Sequence, residues 1–370
     1  MMSLRDLLAE VFETAFRMVP VPARTGLRVV GKPDKLSPVL VTGNYDLTVR
    51  RVLRSLHGLD AYLVVAPSKG INVWCASSGG HLTTHQVVTA LKLAQLERRV
   101  AHREAILPQL AATGVEGKEV RRRSGWIVRF GPAAAADIPA YLAAGKHKTD
   151  EMRRVRFSWR ERFEMAVAWA TPISLLAGLL AWRHWLGATA LVWALALAVF
   201  ALYDRLPFGE RLRQATCAML GVGGVVVMLA LAGAGGLRPM LGWSAAAVLV
   251  TGVLTFDYAG SSPTGASGMF KEREFHIVLD LERCSGAYNC WAVCPEACFD
   301  KRPEIHKVEV THGDRCIRCG ACVVQCPQDA LAFETPDGLR VDPEQIRRFK
   351  LSMFGQRVRG VGAAPEEPSA

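Results

Sequence analysis

Apolar and polar positions alternate in three regimes along the chain: mixed α/β periodicities over about 150 residues, nearly unbroken apolar sequence from about Met165 to Tyr258, then a short cysteine-rich segment. In the first regime, "SPVLVTGNY" (Ser37 to Tyr45), "DAYLVVAP" (Asp60 to Pro67) and "GWIVRFGP" (Gly125 to Pro132) are β-branched runs bounded by turn residues. Helical spacing separates them in "DLTVRRVLRSL", in Thr84 to Val100 and near "DIPAYLAAG". Strands alternating with helices predict a parallel α/β domain over 27–160. Ligands of such sheets bind beyond the carboxyl ends of the strands. "GINVWCASSGG" (Gly70 to Gly80) puts Cys75 at one such end. Residues 1–26 read as an amphipathic segment without the basic, apolar and small-residue tripartite pattern of a secretory signal.

Four stretches of the apolar regime approach the roughly 20 residues that cross a bilayer: about 164–181, 186–203, 214–235 and 240–258. They predict an all-α, four-helix transmembrane domain over 161–260. Basic residues collect before the first span, in "EMRRVRFSWRER" (Glu151 to Arg162), and between the second and third, in "DRLPFGERLR". The positive-inside rule then sets a multi-pass protein of the cytoplasmic membrane with both flanking domains in the cytoplasm. Polar residues near the spans are Thr171, Thr216, Cys217 and Ser244, with Asp204 and Asp257 near the ends, which argues against an ion or solute pathway. The formal charge of +11 is read as membrane topology, with the lipid bilayer as partner and no nucleic acid.

Eight of the ten cysteines fall between Cys284 and Cys326, which points to metal ligation rather than disulfides. "RCIRCGACVVQCP" carries Cys316, Cys319, Cys322 and Cys326-Pro327 in the C-x2-C-x2-C-x3-C-P spacing of two-cluster ferredoxins, whose fourth cysteine reaches the other cluster. "CSGAYNCWAVCPEAC" supplies Cys284, Cys290 and Cys294-Pro295 at the first, third and fourth places, but Ala287 stands at the second. One regular 4Fe-4S cluster is therefore expected on Cys294, Cys316, Cys319 and Cys322. The other, on Cys284, Cys290 and Cys326, is either 3Fe-4S or a 4Fe-4S cluster completed by Cys298; otherwise Cys298 is a buried spectator. These residues make a small α+β ferredoxin-like domain over 275–345, after a linker at 261–274 and before a tail at 346–370 whose end reads as disordered.

By residue chemistry alone, Cys75 is a structural thiol, a nucleophile activated near His81 and His85, or a soft axial ligand of a redox metal. His81 and His85, one helical turn apart, are a metal pair or an exposed helix face. "GINVWCASSGG" resembles the cap-helix signature of the membrane corrinoid protein family of bacterial mercury methylation, related to the corrinoid iron-sulfur protein. "PVLVTGNYDLTV", "ILPQLAATGV", "SGWIVRFGPAAAADIPAYLAAGKHKTDEMRRVRF" and "FDYAGSSPTGASGMFKER" resemble segments of that family in the same order. The cysteine-rich segment resembles the separate ferredoxin partner of that family, here fused. The resemblance implies that Cys75 is the lower axial ligand of a cobalamin-type corrinoid cobalt, with Asn72, Val73, Trp74, Ala76 and the Asn44-Tyr45 step around the cofactor. It implies a methyltransferase: clusters fed by an electron donor reduce cobalt to Co(I), which takes a methyl group from a methyl-tetrahydrofolate or a methyl-donor protein and passes it to Hg(II) or another metal or metalloid. The family pattern runs N-V-W-C-A-A-G-K, whereas Ser77, Ser78 and Gly79 fill its last three places here, and one span fewer is present. The alternative is a membrane-bound ferredoxin-type electron-transfer protein without corrinoid catalysis.

Overall fold

The computed structural model describes residues 4–207, 210–233, 236–256 and 275–349. The linker at 261–274, the end of the fourth expected span at 257–258, and most of the tail lie outside the described residues. The chain divides into two compact units, one of Met1–Val19 with Arg156–Met269 and one of Pro20–Val155 with Phe270–Ala370.

After helix α1 (Leu4–Ala15), the α/β part of the second unit runs β1 (Gly26–Val30), β2 (Val39–Gly43), α2 (Asp46–Ser55), β3 (Ala61–Ala66), α3 (Val73–Ser78), α4 (Thr84–Leu93), β4 (Glu104–Leu107), α5 (Gly117–Ser124), β5 (Ile127–Phe130), α6 (Ile138–Ala143) and α7 (Asp150–Arg153). The sheet order is β1-β3-β2-β4-β5. Strands β3, β2, β4 and β5 are parallel, as the alternation predicts, but β1 pairs antiparallel with β3 as an added edge. Strands β2 and β3 are buried along their whole length, which is why they read as continuous apolar runs with helices on both faces. One core packs α3, α4 and α5 with Val41, Val64 and Trp126; the other packs α2 and α6 with Leu40, Leu63 and Tyr141.

Three local expectations are corrected. The residues of "GINVWC" do not end a strand: the chain turns at Gly70 and Cys75 lies in the first turn of α3, because Asn72 caps that helix. The helix expected over Thr84 to Val100 stops at Leu93, where Gln95 turns left-handed at φ 46° and a 3-10 turn follows. His81 precedes the Thr83 cap of α4, so His81 and His85 do not share a helix. Strands β1 and β4 are short and were not distinguished by alternation.

The other unit holds α8 (Trp159–Leu180), α9 (Trp185–Leu202), α10 (Glu210–Leu231) and α11 (Leu237–Phe256). All four are long and apolar enough to cross a membrane. Helix α8 begins earlier than the hydropathy suggests because Ser158 and Glu161 form a capping box. Helix α1 packs on α8, where Glu10 lies 3.6 Å from Arg160; just past α1, Arg17 lies 3.6 Å from Glu164. Its apolar side, Leu4, Leu7, Leu8, Val11 and Phe12, is left exposed.

The cysteine-rich part of the second unit contains β6 (His276–Leu279), α12 (Asn289–Val293), β7 (Phe299–Arg302), β8 (Lys307–Val310), α13 (Ala321–Gln325), β9 (Leu331–Glu334), β10 (Arg340–Val341) and α14 (Pro343–Phe349). Strands β6, β9 and β10 form one antiparallel sheet and β7 and β8 a hairpin, around a core in which Phe299 and Phe333 are fully buried.

Candidate cofactor sites

Cys75 stands at the carboxyl-end edge of β2 and β3, and a buried asparagine builds the loop that carries it. The Asn44 side-chain oxygen accepts from Ser68 N (2.7 Å) and Gly70 N (3.0 Å), and its amide donates to Ala23 O (3.2 Å). The Ser68 hydroxyl donates to Ile71 O at 2.9 Å. Gly70 has φ 68°, and a Cβ there would fall 2.7 Å from Pro22 N, so only glycine fits the turn. The loop delivers Asn72 as the cap of α3. Its side-chain oxygen accepts from Cys75 N at 2.9 Å, and its amide donates to the Cys75 sulfur at 3.3 Å. Val73 and Ala76 point into the core while Trp74 and Cys75 stay half-exposed. Asn44 and Tyr45 are both buried, and Asn44 holds the loop.

The other side of α3 lies on the 3-10 turn Gln109–Thr113. A Cβ on Gly114 would fall 2.5 Å from Leu82 O and 2.6 Å from Ser77 O, so the turn meets the helix backbone to backbone. Ser77 is fully buried here, and its hydroxyl finds no hydrogen-bond partner among the described residues. Ser77→Ala is therefore expected to stabilise the chain by about 1 kcal/mol, read as a higher denaturant midpoint at unchanged slope, because an unsatisfied buried hydroxyl is removed.

The eight clustered cysteines surround two cavities. One is lined by Cys294, Cys298, Cys316, Cys319 and Cys322. The second is lined by Cys284, Cys290 and Cys326, with Ala287 and Tyr288 beside them. Cys298 thus stands at the cavity that already has four other sulfurs; it does not reach the one that lacks a fourth. Among the described residues no three histidine, cysteine or carboxylate side chains converge as a site for a single metal ion, and none of the ten cysteines is in a disulfide. Sulfurs around a cavity suit a multi-iron cluster, and backbone N–H groups already point at several of them: Cys298 N to Cys294 Sγ, Arg318 N to Cys316 Sγ and Ala330 N to Cys326 Sγ, each at 3.3 Å. Burial pushes the Cys290 thiol up to about 12 and raises Cys319 and Cys322, so these sulfurs become thiolates only with a cation beside them.

Within this unit the cysteine-rich part packs on the α/β part through residues that carried no signal in the sequence. Gln325, between Cys322 and Cys326, donates to Ala112 O (2.8 Å) and Val115 O (2.7 Å) and accepts from Gly117 N (3.2 Å). Lys148 donates to Gln109 Oε1 (2.9 Å), Gly131 O (3.1 Å) and Ala292 O (2.6 Å). Burial, and then the Arg153 charge, bring Lys148 down to about 7. Arg153, read from its neighbours as part of a membrane-facing basic run, is buried instead; its guanidinium lies 3.8 Å from the Trp291 ring centre and donates to Trp291 O at 2.9 Å. Ala112, Val293 and Ala321 close the contact as a small apolar cluster. The turn Gln109–Thr113 therefore touches α3 on one side and the cysteine-bearing helices on the other.

Comparison with known proteins supports both parts. Residues 8–142 match the family model described as CO dehydrogenase/acetyl-CoA synthase delta subunit, and residues 276–338 match that of a 4Fe-4S dicluster domain. Over the first part the chain is similar to acetyl-CoA decarbonylase/synthase complex subunit gamma of Methanopyrus kandleri (34% identical, 33% of this chain and 27% of the relative) and of Archaeoglobus fulgidus (31%, 33% and 26%). The gamma 2 subunit of Methanosarcina thermophila is 34% identical over 36% of this chain and 29% of its own length. The chain thus spans little more than a quarter of the length of these relatives.

Proposed function

We propose that this chain is a membrane-anchored, corrinoid-dependent methyl-transfer protein whose fused iron-sulfur part feeds electrons to the corrinoid. One observation carries the reading: the half-exposed Cys75 sulfur is held by the Asn72 amide at the ligand end of the sheet, and the turn beneath its helix is packed against the cysteine-bearing helices. The donor set fits the group, since a thiolate is a soft ligand for a redox metal and Asn72 fixes its direction. A corrinoid held there by Cys75 would supply the redox and methyl-carrying chemistry of its cobalt.

The residues of this chain hold and tune. Cys75 donates sulfur, Asn72 orients it from a capped helix start, and Asn44 with Ser68 fixes the loop that carries both. Trp74, half-exposed beside Cys75, shapes the wall of the site. Hg(II) or another soft metal or metalloid is the acceptor that the cap-helix resemblance favours, and a methyl-tetrahydrofolate or its carrier protein the donor. Similarity to subunits of an acetyl-CoA decarbonylase/synthase supports one-carbon chemistry. The four apolar helices and the exposed apolar side of α1 support insertion in a bilayer, with both ends of the chain on its cytoplasmic side.

The test is anaerobic purification of the full chain from cells supplied with cobalamin. Bound corrinoid together with iron and sulfide is expected. Iron and sulfide without corrinoid would reduce the protein to a membrane electron carrier, and corrinoid without methyl transfer in a donor-and-acceptor assay would make it a sensor or carrier.

A further inference from the structure

The two cysteine runs are one local structure used twice. Each residue from Cys284 to Cys298 has its counterpart 32 positions later in the sequence, and the backbone repeats with it. Gly286 and Arg318 have φ 68° and 57°, Tyr288 and Gly320 58° and 76°, and Ala297 and Asp329 51° and 52°. The loop that carries Cys319 in the second run therefore carries Ala287 in the first. Residues around the first cavity fit a cluster with four thiolates; those around the second do not.

Among the described residues no sulfur besides Cys284, Cys290 and Cys326 lines that cavity. Cys298, whose counterpart is Ala330, lines the opposite cavity with Cys294 and Cys316. The Ala287 loop is pinned as well: a Cβ on Gly286 would fall 2.1 Å from His306 O, so the loop lies hard against the β7–β8 hairpin. Ala287 itself is exposed, which opens that corner to solvent. Beside it the Tyr288 hydroxyl is buried without a hydrogen-bond partner among the described residues, a polar group left for whatever occupies the cavity.

We infer that the iron-sulfur cluster held by Cys284, Cys290 and Cys326 has three protein thiolates and one exchangeable iron corner, facing solvent at Ala287 and ligated by a small exogenous thiol or by hydroxide. This corner is a binding site for small anions, thiolate or hydroxide, in a protein whose other cluster is closed by its own sulfurs. The inference stands apart from the corrinoid reading, because it concerns only the cysteine-rich part.

The full chain, reconstituted anaerobically with iron and sulfide, is treated with ferricyanide. Ferricyanide takes one electron, one iron(II) leaves, and a 4Fe-4S cluster of charge 2+ becomes a 3Fe-4S cluster of charge 1+, so electrons, iron and charge balance. The wild-type chain is expected to show the EPR signal of an oxidised three-iron cluster and to release about one iron per chain. Iron(II) with a reductant reverses both. Ala287→Cys is expected to lose the signal, and Cys298→Ser to keep it. No three-iron signal in the wild-type chain, persistence of the signal in Ala287→Cys, or a change in nuclearity at this site in Cys298→Ser overturns the inference. The wild-type and Cys298→Ser measurements decide it even if Ala287→Cys assembles poorly.

Discussion

Cys75→Ala in the corrinoid-loaded full chain is expected to lose the thiolate-to-cobalt absorption and at least about 100-fold of methyl-transfer rate, with the iron-sulfur absorption unchanged. The magnitude follows from comparison with outer-sphere changes. Removing a group that merely orients a metal ligand costs about 10–100-fold, and Cys75 is the ligand itself. Asn72→Ala supplies the calibration: it removes both the 3.3 Å amide-to-sulfur bond and the cap of α3. That variant should fall within the 10–100-fold range and lose about 1 kcal/mol of stability. If Cys75 were a core thiol, the two variants would differ only in stability. An unchanged cobalt spectrum in Cys75→Ala would end the reading of Cys75 as a cobalt ligand.

Much of this architecture was legible from local pattern. Four apolar stretches foretold α8 to α11, because a bilayer-length run of Ala, Leu and Val has few other uses. Cysteine spacing foretold which sulfurs share a cavity, since three close residues on one loop face inward together. What failed was decided at long range. β1 is an edge strand of five residues whose antiparallel partner, β3, is some 35 positions away, and no crossover helix announces it. Cys75 reads as a strand end in "GINVWC"; the Asn72 cap, bonding three residues ahead, decides for helix. Arg153 looked like a membrane-facing cation because it sits in a basic run, and only Trp291, far along the chain, makes it a buried stacking partner. Cys298 is ambiguous by spacing, and only the fold places it at the cavity lined by Cys294, Cys316, Cys319 and Cys322.

The contact between the cysteine-bearing helices and the Gln109–Thr113 turn gives the second large effect. Ala112 is fully buried there, facing Val293 and Ala321, and its carbonyl takes a hydrogen bond from Gln325. Ala112→Glu places a carboxylate in that apolar contact without a partner. Stranding an unpaired charge in such a place costs about 3–5 kcal/mol, and the chain relieves it by separating the two parts rather than by unfolding either core. A cost of that size lowers the docking equilibrium constant on the order of 100-fold or more. Electron delivery from the clusters to the corrinoid is expected to slow as the docked fraction falls. Cluster content, corrinoid content and reduction by a small soluble reductant should all stay as in the wild-type chain, since no proposed ligand is touched. Gln325→Ala should act in the same direction but more weakly, because it leaves two carbonyls and one N–H to find water. Stopped-flow reduction of the cobalt through the clusters separates the cases: if Ala112→Glu reduces its corrinoid at the wild-type rate, this packed contact is not the route by which electrons pass.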